Sequence, residues 1–350
     1  MADIVKVLVV DDAAFMRRAV TEILKKDAGI RVVGTAKNGL DCLEKIAQLR
    51  PDVITLDMDM PVMDGLTSIR HLMIKSPVPV VVLSSLFEDG EITFEAVRLG
   101  VVDFVPKPSG AISTNINNST QQIINRTKLA QSVNLENIRR VRIPKWSVED
   151  HLNDRYGYRP LDYIIPVGTS LTGPNTIIRF MAGLSPALPA AVVVVQEISP
   201  KIVAGFVKRF DQLVQWKIIE AKDNMIVEQG ACYLCSNLQT WTLRMNEHGE
   251  VCLKEGQPTI DPINHLFTSA AMLFQERTIG VLLSGLGDDG AEGLANIRQN
   301  DGLTIAQDIK CCVYPNLTEN AIEKQVVDIV VNEKELPEAV ARAISSEKPQ

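Results

Sequence analysis

Four apolar runs in the first third of this 350-residue chain each end in polar chemistry, and that pattern restricts the fold severely. VKVLVV is followed by Asp11 and Asp12, DVITL by Asp57 and VPVVVL by Ser84, while VDFV leads to Lys107-Pro108. Each run has the length and β-branched content of a parallel strand buried on both faces. A doubly wound α/β sheet is therefore predicted, with these polar groups converging at its carboxyl edge. Three carboxylates in one pocket repel one another and call for a cation, and Mg²⁺ suits oxygen donors in octahedral geometry. Asp57 then becomes a candidate phosphoryl acceptor, with Ser84 and Lys107 placed to contact the phosphoryl oxygens. Helix capping would account for Asp11 or Asp12 alone, but not for the whole set. The stretch DMDMPVMDG, with Pro61 and Gly65, supplies a sharp turn after the acceptor strand and the entry to a helix.

On these residues, positions 4–108 resemble the receiver domain of two-component response regulators. The resemblance implies a flavodoxin-like sheet and a histidine kinase as partner, with Asp57 as phosphoacceptor. It implies Mg²⁺ held by Asp11, Asp12, Asp57 and the backbone carbonyl of Asp59. It makes Ser84 and Lys107 the pair that senses phosphorylation, drawn toward Asp57 so that a receiver face covering a second site is reshaped.

The length predicts about two domains. The first is expected over 1–133, with its last helix at 118–133 after the polar turn formers of 109–118. A polar, aperiodic linker carrying Arg139, Arg140, Arg142 and Lys145 is expected over 134–159, and a second domain over 160–350. A net charge of -7, with no basic stripe or helix-turn-helix pattern, argues against a nucleic-acid partner. No apolar run is long enough to span a membrane and no signal-peptide pattern opens the chain, so a cytoplasmic location is expected. Six cysteines in a chain this long do not make a disulfide framework. The Cys232-x-x-Cys235 and Cys311-Cys312 pairs lack the flanking ligand spacing of a zinc module, which favours buried thiols.

After the linker, strands and helices alternate again: DYIIPVG, NTIIRFMAGL, AAVVVVQEI, KIVAGFVKRFDQLV and KIIEA, then HLFTSAAMLF, TIGVLLSGLG, GAEGLANIRQ and LTIAQD. A second, mostly parallel, doubly wound sheet is predicted, with hairpin strands over 224–257. Ser170 lies on the Gly-flanked turn GTSLTG between strand and helix, Asp289 follows LLSGLGD and Glu197 ends AAVVVVQ. A serine and two carboxylates from separate strand ends resemble a hydrolase triad. Its usual proton relay, histidine, is missing: His71, His151, His248 and His265 all lie away from strand ends.

Residues 163–345 resemble the chemotaxis receptor methylesterases, the CheB family, which hydrolyse glutamyl methyl esters on chemoreceptors and often deamidate receptor glutamines. GTSLTG stands where the family has roughly G-A-S-T-G-G, and GLGDDG where it has G-M-G-x-D-G. AQD at 306–308 and PTIDPINHLFTSAA from Pro258 follow in the family's order. The resemblance implies Ser170 as nucleophile, Asp289 as triad aspartate, a chemoreceptor or related signalling protein as partner, and no cofactor for this domain. The departures cluster at the site. Glu197 stands where the family's Q-H-M places histidine, Thr240 where its loop after the next strand has another, and IKCC and PNL replace further loop residues. If the resemblance holds, Cys235, Cys311 and Cys312 border the same site, where thiolates could gather a soft metal.

A free Glu titrates near 4.3, against about 6.5 for His, so an unshifted Glu197 is a poor base for a serine hydroxyl. Burial, or the charge of Asp289 nearby, would raise it. Ser-Glu-Asp triads exist in the sedolisin-like peptidases, which match in residue type only and work in acid. Removing a triad base costs on the order of 10⁴ to 10⁶ in turnover. Two functions are therefore expected to compete: an impaired methylesterase, and a catalytically inactive, phosphorylation-regulated binding module on the same fold.

Overall fold

The computed structural model describes residues 4–84, 90–108, 115–137, 161–170 and 173–346. The chain divides into two compact units, Met1–Arg140 and Val141–Gln350. Most of the expected linker, residues 138–159 with its basic cluster, lies outside the described residues, as do Leu171 and Thr172 of the GTSLTG turn.

In the first unit, strands β1 (Val5–Val10), β2 (Ile30–Ala36), β3 (Val53–Leu56), β4 (Val80–Ser84) and β5 (Asp103–Pro106) form a parallel sheet in the order β2-β1-β3-β4-β5. Helices α1 (Ala14–Leu24), α2 (Gly39–Leu49), α3 (Gly65–Lys75), α4 (Gly90–Leu99) and α5 (Asn115–Gln131) alternate with them. Leu8, Val10, Ile54, Leu56, Val80 and Val82 are buried in one core. Strand order reverses between β1 and β3, which opens a crevice at their carboxyl ends, where Asp11 and Asp57 follow. The last helix starts earlier than the sequence suggested: Asn115–Asn118, read as turn formers, are its first turn. Asn and Ser favour caps and turns because their side chains compete for backbone groups, but a helix tolerates them at its amino end.

The second unit is built on seven parallel strands in the order β14-β13-β12-β6-β7-β9-β8. These are β6 (Tyr163–Gly168), β7 (Ala190–Gln196), β8 (Lys217–Glu220), β9 (Ala231–Ser236), β12 (Ile279–Leu282), β13 (Leu303–Gln307) and β14 (Ile329–Val331). The helices are α6 (Gly173–Gly183), α7 (Pro200–Asp211), α8 (Pro262–Phe274), α9 (Ala291–Gln299), α10 (Asn316–Glu323) and α11 (Leu336–Ser346). The predicted hairpin is real but narrower: β10 (Thr240–Met245) pairs antiparallel with β11 (Val251–Gly256). The preceding segment ACYLCS is not part of it. It forms β9, inserted parallel between β7 and β8 and buried along its whole length. The polar turn after it imitates a hairpin loop, whereas the continuous burial is that of an interior parallel strand.

Order in this sheet reverses between β6 and β12, so Ser170 and the segment 283–290 meet at the resulting crevice. Among the described residues no helix is long and apolar enough to cross a membrane.

Candidate functional site

In the first unit, β1 and β3 deliver Asp11 and Asp57 to adjacent positions with 3% and 4% exposure, while Asp12 beside them is exposed. Lys107, just beyond β5, bridges the two buried carboxylates at 2.8 Å from Asp11 Oδ2 and 2.7 Å from Asp57 Oδ2. Asp57 Oδ1 accepts the N–H of Met58 at 2.8 Å and that of Asp59 at 3.5 Å. Burial raises the Asp57 carboxyl above its ordinary range, against the pull of Lys107 and with help from Asp11. Burial alone would lower Lys107, but its hydrogen bonds to Asp11 and Asp57 outweigh it and hold the ammonium above its usual value. Ser84 ends β4, is buried, and accepts the Lys107 N–H through its carbonyl at 3.2 Å. A cavity of about 260 Å³ adjoins it, lined in part by Asp59, Ser84, Thr93 and Phe104.

Ligand oxygens of Asp11, Asp12 and Asp57 all lie within 4.8 Å of one another. An all-carboxylate donor set of this kind fits a hard divalent cation rather than a soft metal. Arg17, which no sequence motif singles out, donates through Nη1 to the carbonyls of both Asp11 and Asp12 at 2.8 Å and so fixes the acidic turn.

In the second unit, Ser170 follows β6 and is 9% exposed. Its Oγ accepts the Leu286 N–H at 2.7 Å and donates to the Leu286 carbonyl at 3.2 Å. Thr169 Oγ1 donates to the Ser284 carbonyl at 2.7 Å, and the Ser284 N–H is held by Gln307 Oε1 at 3.0 Å, so buried polar groups tie three strand ends together. The approach is close enough to require glycine at 285. A Cβ there would lie 2.6 Å from Ser170 Oγ and 2.8 Å from Ser170 N.

Asp289 is engaged elsewhere. Its carboxylate accepts the N–H groups of Ile263 at 2.8 Å and Asn264 at 3.0 Å, at the start of α8. Burial pushes this carboxyl up to about 6 despite those bonds, and the charge of Asp261 adds to the shift. Glu197 lies immediately after β7 and is half-buried. Of the histidines, His265 on α8 is exposed, 3.5 Å from Asp261. Thr240, buried at the start of β10, contacts Thr259 Oγ1 at 2.9 Å.

The cysteines do not assemble. Cys232 and Cys235 are three apart on one strand and so point to opposite faces, both buried, with burial pushing both thiols up. Cys312 is buried, 3.4 Å from Thr318 Oγ1, its thiol pushed up to about 12 chiefly by burial. Among the described residues, the acidic trio of the first unit is the only group of three or more metal-type side chains within ligating reach.

Comparison with known proteins agrees with this division. Residues 7–114 match the response regulator receiver domain and residues 165–340 the CheB methylesterase domain. The chain is 34% identical to the protein-glutamate methylesterase/protein-glutamine glutaminase of Pyrococcus abyssi, over 97% of this chain and 94% of that one. It is also 34% identical to the enzyme of the same description from Symbiobacterium thermophilum, over 97% of each. Among solved structures, the Thermotoga maritima CheB methylesterase catalytic domain aligns at 26% identity and a TM-score of 0.49, covering 53% of this chain and 98% of that one. A receiver unit joined to a doubly wound α/β unit with a strand-end serine defines a response regulator with a hydrolase-type output. The chain belongs to the CheB family, the chemotaxis response regulators that carry a methylesterase domain.

Proposed function

We propose that this chain is a phosphorylation-controlled receptor methylesterase whose turnover is held down by the substitution of Glu197 for the family's triad histidine. Asp57 is the acceptor: one carboxylate oxygen attacks the phosphorus of a kinase phosphohistidine, and the imidazole leaves. In this reading Asp11, Asp12, Asp57 and the Asp59 carbonyl hold Mg²⁺, which when bound neutralises charge on the phosphoryl oxygens. Lys107 then exchanges its ion pair with Asp57 for a phosphoryl oxygen, and the Ser84 hydroxyl contacts another. That exchange shifts the receiver between two conformations.

In the output unit Ser170 Oγ attacks the acyl carbon of a chemoreceptor glutamyl methyl ester. Methanol leaves, and water hydrolyses the acyl-enzyme to the glutamate; a glutamine would release ammonia by the same route. The Ser170 proton must pass to a base during attack. The observation that carries the low-turnover reading is that this hydroxyl donates to the Leu286 carbonyl while the Asp289 carboxylate is committed to the N–H groups of α8. A backbone carbonyl cannot take the Ser170 proton, and Asp289, although its carboxyl is raised to about 6, spends its oxygens on α8 rather than on the serine. The same observation favours the second reading, a binding module that kept the fold without the chemistry.

Methanol release from methylated receptor, measured with and without phosphorylation, separates the two. Slow release that rises on phosphorylation and vanishes in Ser170→Ala supports the enzyme. Equal background rates in both proteins, with receptor binding that still responds to Asp57→Ala, support the binding module.

A further inference from the structure

Helices α8 and α9 each lack a cap of their own. Asp261 and Gly290 stand at their N-cap positions, and neither makes a side-chain capping bond. Each helix is capped instead by a residue belonging to the other's start. Asp289, two residues before α9, accepts the Ile263 and Asn264 N–H groups of α8. Asn264 Oδ1, in the first turn of α8, accepts the N–H of Gly290 at 3.0 Å and that of Gly293 at 2.7 Å, at the start of α9. Four donors that a helix start leaves unsatisfied are thus met by two side chains in a closed exchange. The helices approach closely enough that a Cβ at Gly293 would lie 3.0 Å from the Asn264 Cα.

This exchange ends the segment that faces the serine. Residues 285–290 run from the close contact at Gly285 through Leu286, which both donates to and accepts from Ser170 Oγ, to Asp289 and Gly290. One end of the segment is held by Gly285, whose N–H donates to the Tyr314 carbonyl at 2.9 Å. The other end is held by the Asp289–Asn264 exchange. Gly290 takes the left-handed φ of 99° that the turn into α9 requires.

We propose that Asn264 is a positioning residue for the serine site: with Asp289 it forms a reciprocal helix cap that fixes the 285–290 segment, and through Leu286 the orientation of the Ser170 hydroxyl. This rests on the reading of Ser170 as the output nucleophile. Asn264 touches no reacting atom in this role; it acts through the backbone.

The full chain tests this with Asn264→Ala, which removes the acceptor, and Asn264→Asp, which keeps an acceptor oxygen for both glycine N–H groups. Two readouts are taken at pH 8: amide hydrogen exchange over 285–293, and the rate at which a fluorophosphonate labels Ser170. In Asn264→Ala, exchange in the segment is expected to quicken at least tenfold and labelling to slow about tenfold, with circular dichroism and phosphorylation of Asp57 unchanged. Asn264→Asp is expected to restore most of both. The proposal is overturned if Asn264→Ala exchanges like the unaltered protein, if labelling slows without faster exchange, or if Asn264→Asp is as impaired as Asn264→Ala. If the unaltered protein is not labelled at all, the nucleophile assignment fails, while the exchange comparison still decides whether the cap holds the segment.

Discussion

Lys107 Nζ lies 2.7 Å from Asp57 Oδ2 and 2.8 Å from Asp11 Oδ2, so one cation holds together two carboxylates that are almost wholly buried. Replacing Lys107 with Met leaves the carboxylates facing one another without a counter-charge. The receiver is expected to lose about 1–3 kcal/mol, the range for leaving a buried polar group unpaired. Urea unfolding in metal-free buffer measures this, and an unchanged midpoint would contradict it.

The acidic trio gives a separate expectation. A ligand that binds only the folded state raises stability in proportion to RT ln(1 + [L]/Kd). Mg²⁺ is therefore expected to raise the receiver's melting temperature at constant ionic strength and to leave Asp57→Asn and Asp11→Asn nearly unmoved. An equal rise in all three proteins would point to a nonspecific salt effect.

Burial pushes the Asp289 carboxyl up to about 6. Because its folded pKa lies above the unfolded value near 3.8, the folded state binds the extra proton between those values. Its contribution to stability is therefore full below pH 4 and is lost as pH rises through about 6. Relative to Asp289→Asn, the wild-type output unit is expected to lose about 1–2 kcal/mol between pH 4.5 and 7.5, the upper figure being the full linkage of the shift and the lower allowing for partial exposure. Chemical denaturation of both proteins across that range checks it. A pH-independent difference between them would contradict the shift.

The cysteines are expected to stay inert in the folded protein. Cys311 is the one that is only partly buried, so a thiol reagent should label it first and the other five only on unfolding. Purified protein is expected to carry no stoichiometric zinc or iron. Labelling of Cys232 or Cys235 in the native state, or one equivalent of metal, would overturn this.

The sites were legible where chemistry sits on a strand end. Asp11, Asp57, Ser84 and Ser170 each follow an apolar run buried on both faces, and such runs announce themselves by length and β-branched content. β9 is not legible as an interior strand because its neighbour in sequence is a true hairpin, and a polar turn does not say which strand its predecessor pairs with. Arg17 and Leu286 were missed because they act on or through backbone atoms, which any side chain carries. The Asn264–Asp289 exchange joins residues 25 apart in sequence, and neither stands in the N-cap position that a sequence pattern would search. Local signals do not encode such a pairing.

The central claim, an intact phosphoacceptor driving an output that lacks its base, is tested most directly by methanol release in Glu197→His. With Asp57 phosphorylated, restoring the histidine is expected to raise Ser170-dependent release at least a hundredfold over the unaltered protein, a modest part of the 10⁴ to 10⁶ that loss of a triad base typically costs. If the unaltered protein already releases methanol as fast as Glu197→His, and Ser170→Ala abolishes both, then Glu197 or another group serves as a competent base and the account is wrong.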